Sequence, residues 1–348
     1  MTPEIIPTPD TLPVNWLWFE ILLLVTFLLH IIVMNFIVGG SILTIFDSFR
    51  KKTFRDEVMT IPTLIALTIN FGVPPLLFVQ VLYGNLFYTS SVIMAVPWIL
   101  VIPFLLIAYY GAYIYVKKNG KSHAIAQVSL YISTAVMLII AFIYVNNNTL
   151  MLDPSRWSMY FSDPAGTNLN WGEPTLFPRY LHFIVGAISI AALGKALFYH
   201  YSRKADPELK EKQIASGLKV FGYTTIVQII IGLWFLISLP KNIMMLFMGQ
   251  NIVYTFLLIL GIVLALITLH SAFTRKLMFT VITTIILLIT MILMRDLLRH
   301  AYLEGVFDPA GMTVTGKYSS LILFLAAFII GLYSLYYMIK LMFKPKTQ

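Results

Sequence analysis

The chain has 348 residues, of which 59% are hydrophobic and 11% are charged, and its mean hydropathy is +0.85. Soluble domains carry roughly 25% charged residues, so a soluble domain is excluded, and the abundance of Phe, Tyr, Ile and Leu excludes intrinsic disorder. The chain contains no cysteine, which excludes disulfides, thiolate metal sites, iron–sulfur clusters and covalently attached haem.

Long apolar runs in chain order predict nine transmembrane helices. A helix needs about 20 apolar residues to cross the hydrocarbon core, because its backbone polar groups must be satisfied inside the segment. The runs of sufficient length are 17–46, 59–84, 93–116, 124–146, 178–202, 215–239, 250–271, 277–302 and 318–343. We therefore predict an all-α integral membrane protein in which residues 1–348 form a single transmembrane helical domain.

Two segments depart from this simple pattern. Pro74 and Pro75 interrupt the second run, and proline inside a helix removes a hydrogen bond, so we expect a kink there. The segment 147–176, between the fourth and fifth runs, is punctuated by Gly, Pro and Asn, which favour defined turns. We expect it to form a structured outer loop.

The distribution of Lys and Arg predicts the orientation. Of the 24 basic residues, 16 fall in alternate loops on one side and six on the other, and the excess marks the cytoplasmic side. The N-terminus is therefore predicted outside and the C-terminus in the cytoplasm, which an odd number of spans permits. The 16 residues are Arg50, Lys51, Lys52, Arg55, Lys117, Lys118, Lys121, Arg203, Lys204, Lys210, Lys212, Arg275, Lys276, Lys340, Lys344 and Lys346. The net charge of +9 is therefore explained by basic residues in the predicted cytoplasmic loops, and no nucleic-acid partner is expected.

Two histidines lie within predicted spans, where an ionisable group is costly. His30 is well inside the first span, and His182 is about one turn inside the outer end of the fifth. His30 is either hydrogen-bonded to a neighbouring helix, a haem ligand or a proton relay; His182 is either an interfacial residue or a ligand. The residues alone leave these alternatives open.

The outer end of the eighth span carries four ionisable residues within two turns: Arg295, Asp296, Arg299 and His300. Residues three or four apart share a helical face, so Asp296 can meet both Arg299 and His300. The group is either an internally neutralised polar cap or a site for haem propionates or a quinone headgroup. Glu20, about 15 Å above His30 on the first helix, is either a proton access point or an interfacial residue.

The order of several segments resembles subunit I of the cytochrome bd quinol oxidase family along nearly the whole chain. The similar segments are His30–Gly40, Ile69–Gly72 with Tyr83–Asn85, Val145–Pro154, Arg179–Phe183 and Asp296–Arg299. The resemblance implies nine spans, haems near the outer face and a loop at Tyr83–Asn85. It also implies that His30 is an axial haem ligand, that His182 binds the low-spin haem b, and that Asp296 replaces a haem-ligating Glu.

The chain also departs from the family pattern at positions that matter for its activity. The third span lacks the family's acidic residues, and Leu257 and Ile259 stand where the family has Arg and the methionine ligand of the low-spin haem. The loop between the sixth and seventh spans, which binds quinol in the family, is reduced to about Pro240–Gln250. Reduction of oxygen by quinol is therefore not the primary expectation.

The resulting expectation is a haem b-binding subunit that passes electrons between the quinone pool and a redox partner near the outer face of a bacterial cytoplasmic membrane. Two or more haem b groups, a second small membrane subunit, a c-type cytochrome and a quinone are its expected cofactors and partners. His182, His30 and Asp296 are the expected ligands, and Arg295, Arg299 and Arg179 would neutralise propionates. The alternatives are a divergent oxygen-reducing bd-type oxidase and a haem-free proton-coupled transporter or assembly factor that uses His30 and Glu20.

Overall fold

The computed structural model describes residues 5–49, 61–202 and 206–342, and within these ranges the chain is helical and contains no β-strand. Nine helices in this part of the chain are long and apolar enough to cross a membrane. They are α1 (Trp16–Phe49), α2 (Ile61–Ile93), α3 (Ala95–Lys118), α4 (His123–Leu152), α5 (Leu176–Tyr201), α6 (Pro207–Ile237), α7 (Ile252–Phe273), α8 (Leu277–Leu303) and α9 (Ser319–Met342). In the described ranges, the prediction of an all-α chain with nine helices of membrane-spanning length and apolar composition is confirmed.

Some residues used in the sequence argument lie outside the described ranges. They are the first two residues of the predicted second span, the last residue of the predicted ninth span, and Arg50, Lys51, Lys52, Arg55, Arg203, Lys204, Lys344 and Lys346.

Helix α2 differs most from its prediction. It continues nine residues past the predicted end at 84, and Met94 alone separates it from α3. The loop expected at Tyr83–Asn85 is therefore wrong, because these residues lie within the helix. The prolines Pro74 and Pro75 also sit inside it, while the residue with non-helical dihedral angles is Tyr83, at φ −128° and ψ 27°. The break in helical geometry thus lies at a residue of the polar cluster described below.

Small residues allow α1 to lie in the middle of the bundle, against α2, α4, α5 and α8. Gly39 of α1 faces the backbone of Ala187 in α5 so closely that a Cβ atom at position 39 would overlap the Ala187 carbonyl. Between α3 and α4, the Ser133 hydroxyl donates to the Ala108 carbonyl at 2.8 Å. Close backbone approach through small residues is how helices associate in lipid, where apolar burial gives no advantage.

The outward faces of the bundle are apolar. On α7, Ile252 and Phe256 are 85% and 61% exposed, and on α9, Leu323 is 73% exposed. Near its first turns α9 meets α2 through an edge-to-face contact of Phe324 with Phe78, with ring centroids 4.9 Å apart. A surface of this kind requires a lipid environment, because in water it would be costly to expose.

One end of the bundle, which we call the capped end, is covered by the segments that precede α1, connect α4 to α5 and connect α8 to α9. After α4 the chain forms a 3-10 helix (Pro154–Ser158) and a short helix (Met159–Ser162), and the buried Trp157 indole donates to the Leu150 carbonyl at 2.8 Å. The backbone of Leu12 exchanges two 2.8 Å hydrogen bonds with Thr313 and Thr315. These contacts tie the N-terminal segment to the α8–α9 connection.

Candidate functional site

A buried group of ionisable side chains lies at the capped end, where α1, α2 and α8 meet. Arg299 Nη2 of α8 donates to Glu20 Oε1 of α1 at 2.8 Å and also to Asp296 Oδ1, one turn earlier on α8. The side chains of Arg299 and Glu20 are 4% and 6% exposed. We call Glu20, Tyr83, Asp296, Arg299 and His300 the arginine–carboxylate cluster.

Tyr83 joins the two sides of this cluster. Its hydroxyl donates to Glu20 Oε2 at 3.4 Å and lies 3.4 Å from His300 Nε2. The guanidinium of Arg299 sits over the Tyr83 ring, 4.7 Å from its centroid, in cation–π geometry. Tyr83 is completely buried, at the residue where α2 departs from helical geometry. The break in α2 therefore coincides with the residue that links all three helices.

The cluster contains the residue types of a metal site, but the Arg299 guanidinium already supplies its positive charge. Glu20, Asp296 and His300 each offer a possible ligand atom, and these atoms lie within 4.8 Å of one another. The Arg299 guanidinium already bonds to both carboxylates, and a metal ion would have to displace it. Charge compensation by arginine accounts for two acidic side chains in a buried position.

Two further arginines near the cluster form no direct ion pair with the described residues. Arg295 sits over the Phe27 ring at 4.3 Å from its centroid. Arg179 of α5 donates to Asn148 Oδ1 at 3.1 Å and packs over Phe235 at 5.0 Å. Among the described residues neither guanidinium has a carboxylate within ion-pair distance. Two buried guanidinium groups without a direct ion pair suit an anionic ligand group.

His30 is held between α1 and α2. Its Nδ1 lies 3.1 Å from the Thr68 carbonyl, and its ring rests on Gly72, where a Cβ atom would lie 2.9 Å from Cε1. With the proton on Nδ1 donated to Thr68, the lone pair of Nε2 is available to a metal. The expected alternative of a hydrogen bond from His30 to a neighbouring helix is therefore observed, and Nε2 remains without a hydrogen bond among the described residues.

His182 is placed between α5 and α6. Its Nδ1 is buried and has no hydrogen-bond partner among the described residues. Its ring faces Gly232, where a Cβ atom would lie 3.4 Å from Cε1, and its backbone carbonyl accepts from Gln228 Nε2 at 2.8 Å. A buried ring nitrogen without a partner is costly, and a bound metal or a donor would remove the cost.

The structure brings together only part of the predicted site. Asp296 meets Arg299 and His300, as their spacing on one helix predicts. No hydrogen bond joins His30 or His182 to the arginine–carboxylate cluster. Sequence reasoning missed the pairing of Glu20 with Arg299 and the role of Tyr83, and the only signal for either was the cost of an acidic residue within a span.

A pocket of about 360 Å³ opens at the capped end above the cluster. Tyr83 and His300 form part of its lining, and its polar wall residues include Asn251, Tyr254, Glu304 and Asp308. The pocket therefore connects the surface of the molecule with two members of the cluster.

The chain matches no protein-family model, no curated protein and no solved structure. The resemblance to the bd oxidase subunit therefore depends on the quoted segments alone.

Proposed function

We propose that this chain is a haem b-binding subunit of a respiratory electron-transfer complex, passing electrons between the quinone pool and a redox partner. The observation that carries the proposal is the buried, unpartnered Nδ1 of His182 next to the glycine at position 232. The glycine lets α6 approach the His182 ring closely, and an imidazole nitrogen is a suitable haem ligand. Bound haem b would supply one-electron oxidation and reduction at its iron.

The residues that would hold haem divide into ligands and charge partners. His182 and His30 would ligate separate haems, with Thr68 orienting the His30 ring. Arg295 and Arg179 suit propionates, because neither forms a direct ion pair among the described residues. We do not extend the ligand role to Asp296, because its carboxylate is bound by Arg299.

The capped end would face outward in a bacterial cytoplasmic membrane. Six basic residues fall on its side of the sequence and 16 on the other, which supports an external N-terminus and a cytoplasmic C-terminus. A second small membrane subunit, a c-type cytochrome and a quinone are the partners that the resemblance suggests. Because this chain has no cysteine, covalently bound haem would belong to a separate protein.

An optical spectrum of the full chain, purified after haem-replete expression, tests the proposal. We expect a Soret band and b-type bands, with a haem-to-protein ratio that falls by separate fractions in His182→Ala and His30→Ala. His123→Ala and His270→Ala, at the opposite helix ends, are the matched controls and should keep the full ratio. An unchanged ratio in both ligand variants would refute the assignment.

A second candidate function is a haem-free, proton-coupled transporter or assembly factor. The buried carboxylate of Glu20, linked to Tyr83 and Arg299, favours it, because intramembrane acidic groups commonly serve proton transfer. Absence of any Soret band would favour this candidate over the haem protein. A red-shifted chlorin band together with quinol-driven oxygen uptake would instead indicate a bd-type oxidase.

A further inference from the structure

The hydrogen-bonding atoms of three side chains form a line from the pocket at the capped end to Glu20. His300 lines the pocket, and its Nε2 lies 3.4 Å from the Tyr83 hydroxyl, which in turn lies 3.4 Å from Glu20 Oε2. Tyr83 and Glu20 are buried, at 0% and 4% exposure. We propose that His300 and Tyr83 relay protons between water in this pocket and the carboxylate of Glu20.

The pocket is suited to supply the protons. Its volume of about 360 Å³ is well above what a single water molecule needs, so it can hold several. Glu304 and Asp308 are exposed and line it, so their negative charges raise the local concentration of protons at the mouth. The side chain of Asn251, also in the wall, accepts hydrogen bonds from the backbone at the start of α7. Because His300 lines this open pocket, water can reach its side chain from the surface.

The transfer balances without any other reactant. A hydronium ion in the pocket gives its proton to His300 Nδ1 and becomes water. The proton on Nε2 passes to the Tyr83 oxygen, and the original hydroxyl proton of Tyr83 moves to Glu20 Oε2. His300 and Tyr83 end neutral and Glu20 gains one proton. The imidazole is left with its proton on Nδ1, and the reverse transfer, which returns a proton from Glu20 to the pocket, restores the first tautomer. No electron moves.

The surrounding charges allow Glu20 to change its protonation state. The titratable groups that face it are Tyr83 from α2 and Asp296, Arg299 and His300 from α8, with Arg295 one turn away. When Glu20 is neutral, Arg299 keeps Asp296 as its counter-ion. When Glu20 is charged, the same guanidinium bonds to both carboxylates. In both states the buried arginine keeps an acidic partner. It therefore avoids being an unpaired buried charge, which would be the most costly arrangement.

This relay does not depend on haem. It would connect Glu20 with the capped end in a haem protein and in a proton-coupled transporter alike. Its failure is therefore distinguishable from the failure of the proposed function, which rests on His182 and His30.

Infrared spectroscopy of the full chain in lipid nanodiscs tests the relay. The carboxyl C=O band of Glu20, identified by its loss in Glu20→Gln and its retention in Asp296→Asn, is followed after exchange of H2O for D2O. We expect Tyr83→Phe and His300→Leu to slow the shift of this band by roughly a hundredfold, the order that a positioned proton-transfer group contributes. Tyr254→Phe is the matched control, because this tyrosine lines the same pocket but donates to the Leu297 carbonyl at 3.1 Å.

A second measurement tests the pocket as the route. In the cysteine-free chain, Glu304→Cys carrying a bulky thiol label should slow exchange, while the same label on Lys317→Cys, in the same connection but outside the pocket lining, should not. Exchange in Tyr83→Phe at the wild-type rate would overturn the proposal. So would the absence of a Glu20 carboxyl band at every pH at which the protein stays folded, because such a group takes up no proton.

Discussion

Arg299 Nη2 in α8 donates to Glu20 Oε1 in α1 at 2.8 Å, across 279 positions of sequence. Because both side chains are almost completely buried, the attraction between them is little screened, but their joint removal from water is expensive. The pair is therefore better described as fixing how α8 sits on α1 than as a large net source of stability. Removing one partner is strongly destabilising, because the other charge is then buried without compensation.

Replacing Arg299 is expected to destabilise the protein strongly. Arg299→Met leaves the Glu20 and Asp296 carboxylates without their shared cation, and breaking a buried pair in this way costs about 3–5 kcal/mol. Arg299→Lys should recover part of the loss, because an ammonium group restores the charge but not the planar fork. The midpoint of unfolding, followed by tryptophan fluorescence in a detergent titration, measures both effects.

The matched control for this experiment is a half-exposed pair with the same spacing as Arg299 and Asp296. Arg156 Nε lies 3.2 Å from Asp153 Oδ2, three residues earlier, and the two side chains are 33% and 30% exposed. Arg156→Met also removes a hydrogen bond to the Gly172 carbonyl at 3.1 Å, and the two losses together should cost about 1–2 kcal/mol, less than Arg299→Met. Equal losses in Arg156→Met and Arg299→Met would contradict the burial argument.

Adjacent glycines in α1 should respond oppositely to alanine. A Cβ atom at position 39 would overlap the Ala187 carbonyl of α5, whereas one at position 40 would meet nothing within 4 Å. Gly39→Ala should therefore destabilise by about 1–3 kcal/mol, as overpacking does. Gly40→Ala should be neutral or stabilising by up to about 1 kcal/mol, because it removes a flexible residue from a helix interior. The same unfolding titration measures the stability of both variants. Equal responses would show that α1 and α5 do not pack as described.

The contact of His30 with Gly72 predicts a coupling between the two positions. In the native background, Gly72→Ala should displace the imidazole, since the added Cβ would lie 2.9 Å from Cε1. We expect an overpacking cost of about 1–3 kcal/mol. In the His30→Ala background that cost should vanish, because the ring is absent. A double-mutant cycle measures the interaction energy, and a value near zero would place His30 elsewhere.

The fold was predictable because it depends on a signal that is local in sequence. Twenty-residue apolar runs determine the spanning helices, and the predicted ends of α8 lie within one residue of those observed. The end of α2 was not predictable in this way. Tyr83, Gly84 and Asn85 are weak helix formers, yet they are helical because tertiary contacts at the capped end hold them.

The candidate site was predictable only within single helices. The meeting of Asp296 with Arg299 follows from their spacing of three residues. The pairing of Arg299 with Glu20 depends on how α8 lies against α1, and no periodic pattern in one sequence determines that choice. The same holds for Gly72 and Gly232, whose positions beside His30 and His182 depend on the rotation of α2 and α6.

The absence of native cysteine makes the orientation directly testable. Ser158 lies in the 3-10 helix of the capped end and Ser122 just before α4, at the opposite end, so each can be changed to cysteine with little change in shape. In intact cells, a membrane-impermeant maleimide should label Ser158→Cys and leave Ser122→Cys unlabelled, because the excess of basic residues predicts a cytoplasmic Ser122. Permeabilised cells should show labelling of both, and the cysteine-free parent provides the background. Labelling of Ser122→Cys alone in intact cells would invert the topology and would place the pocket above His300 on the cytoplasmic side.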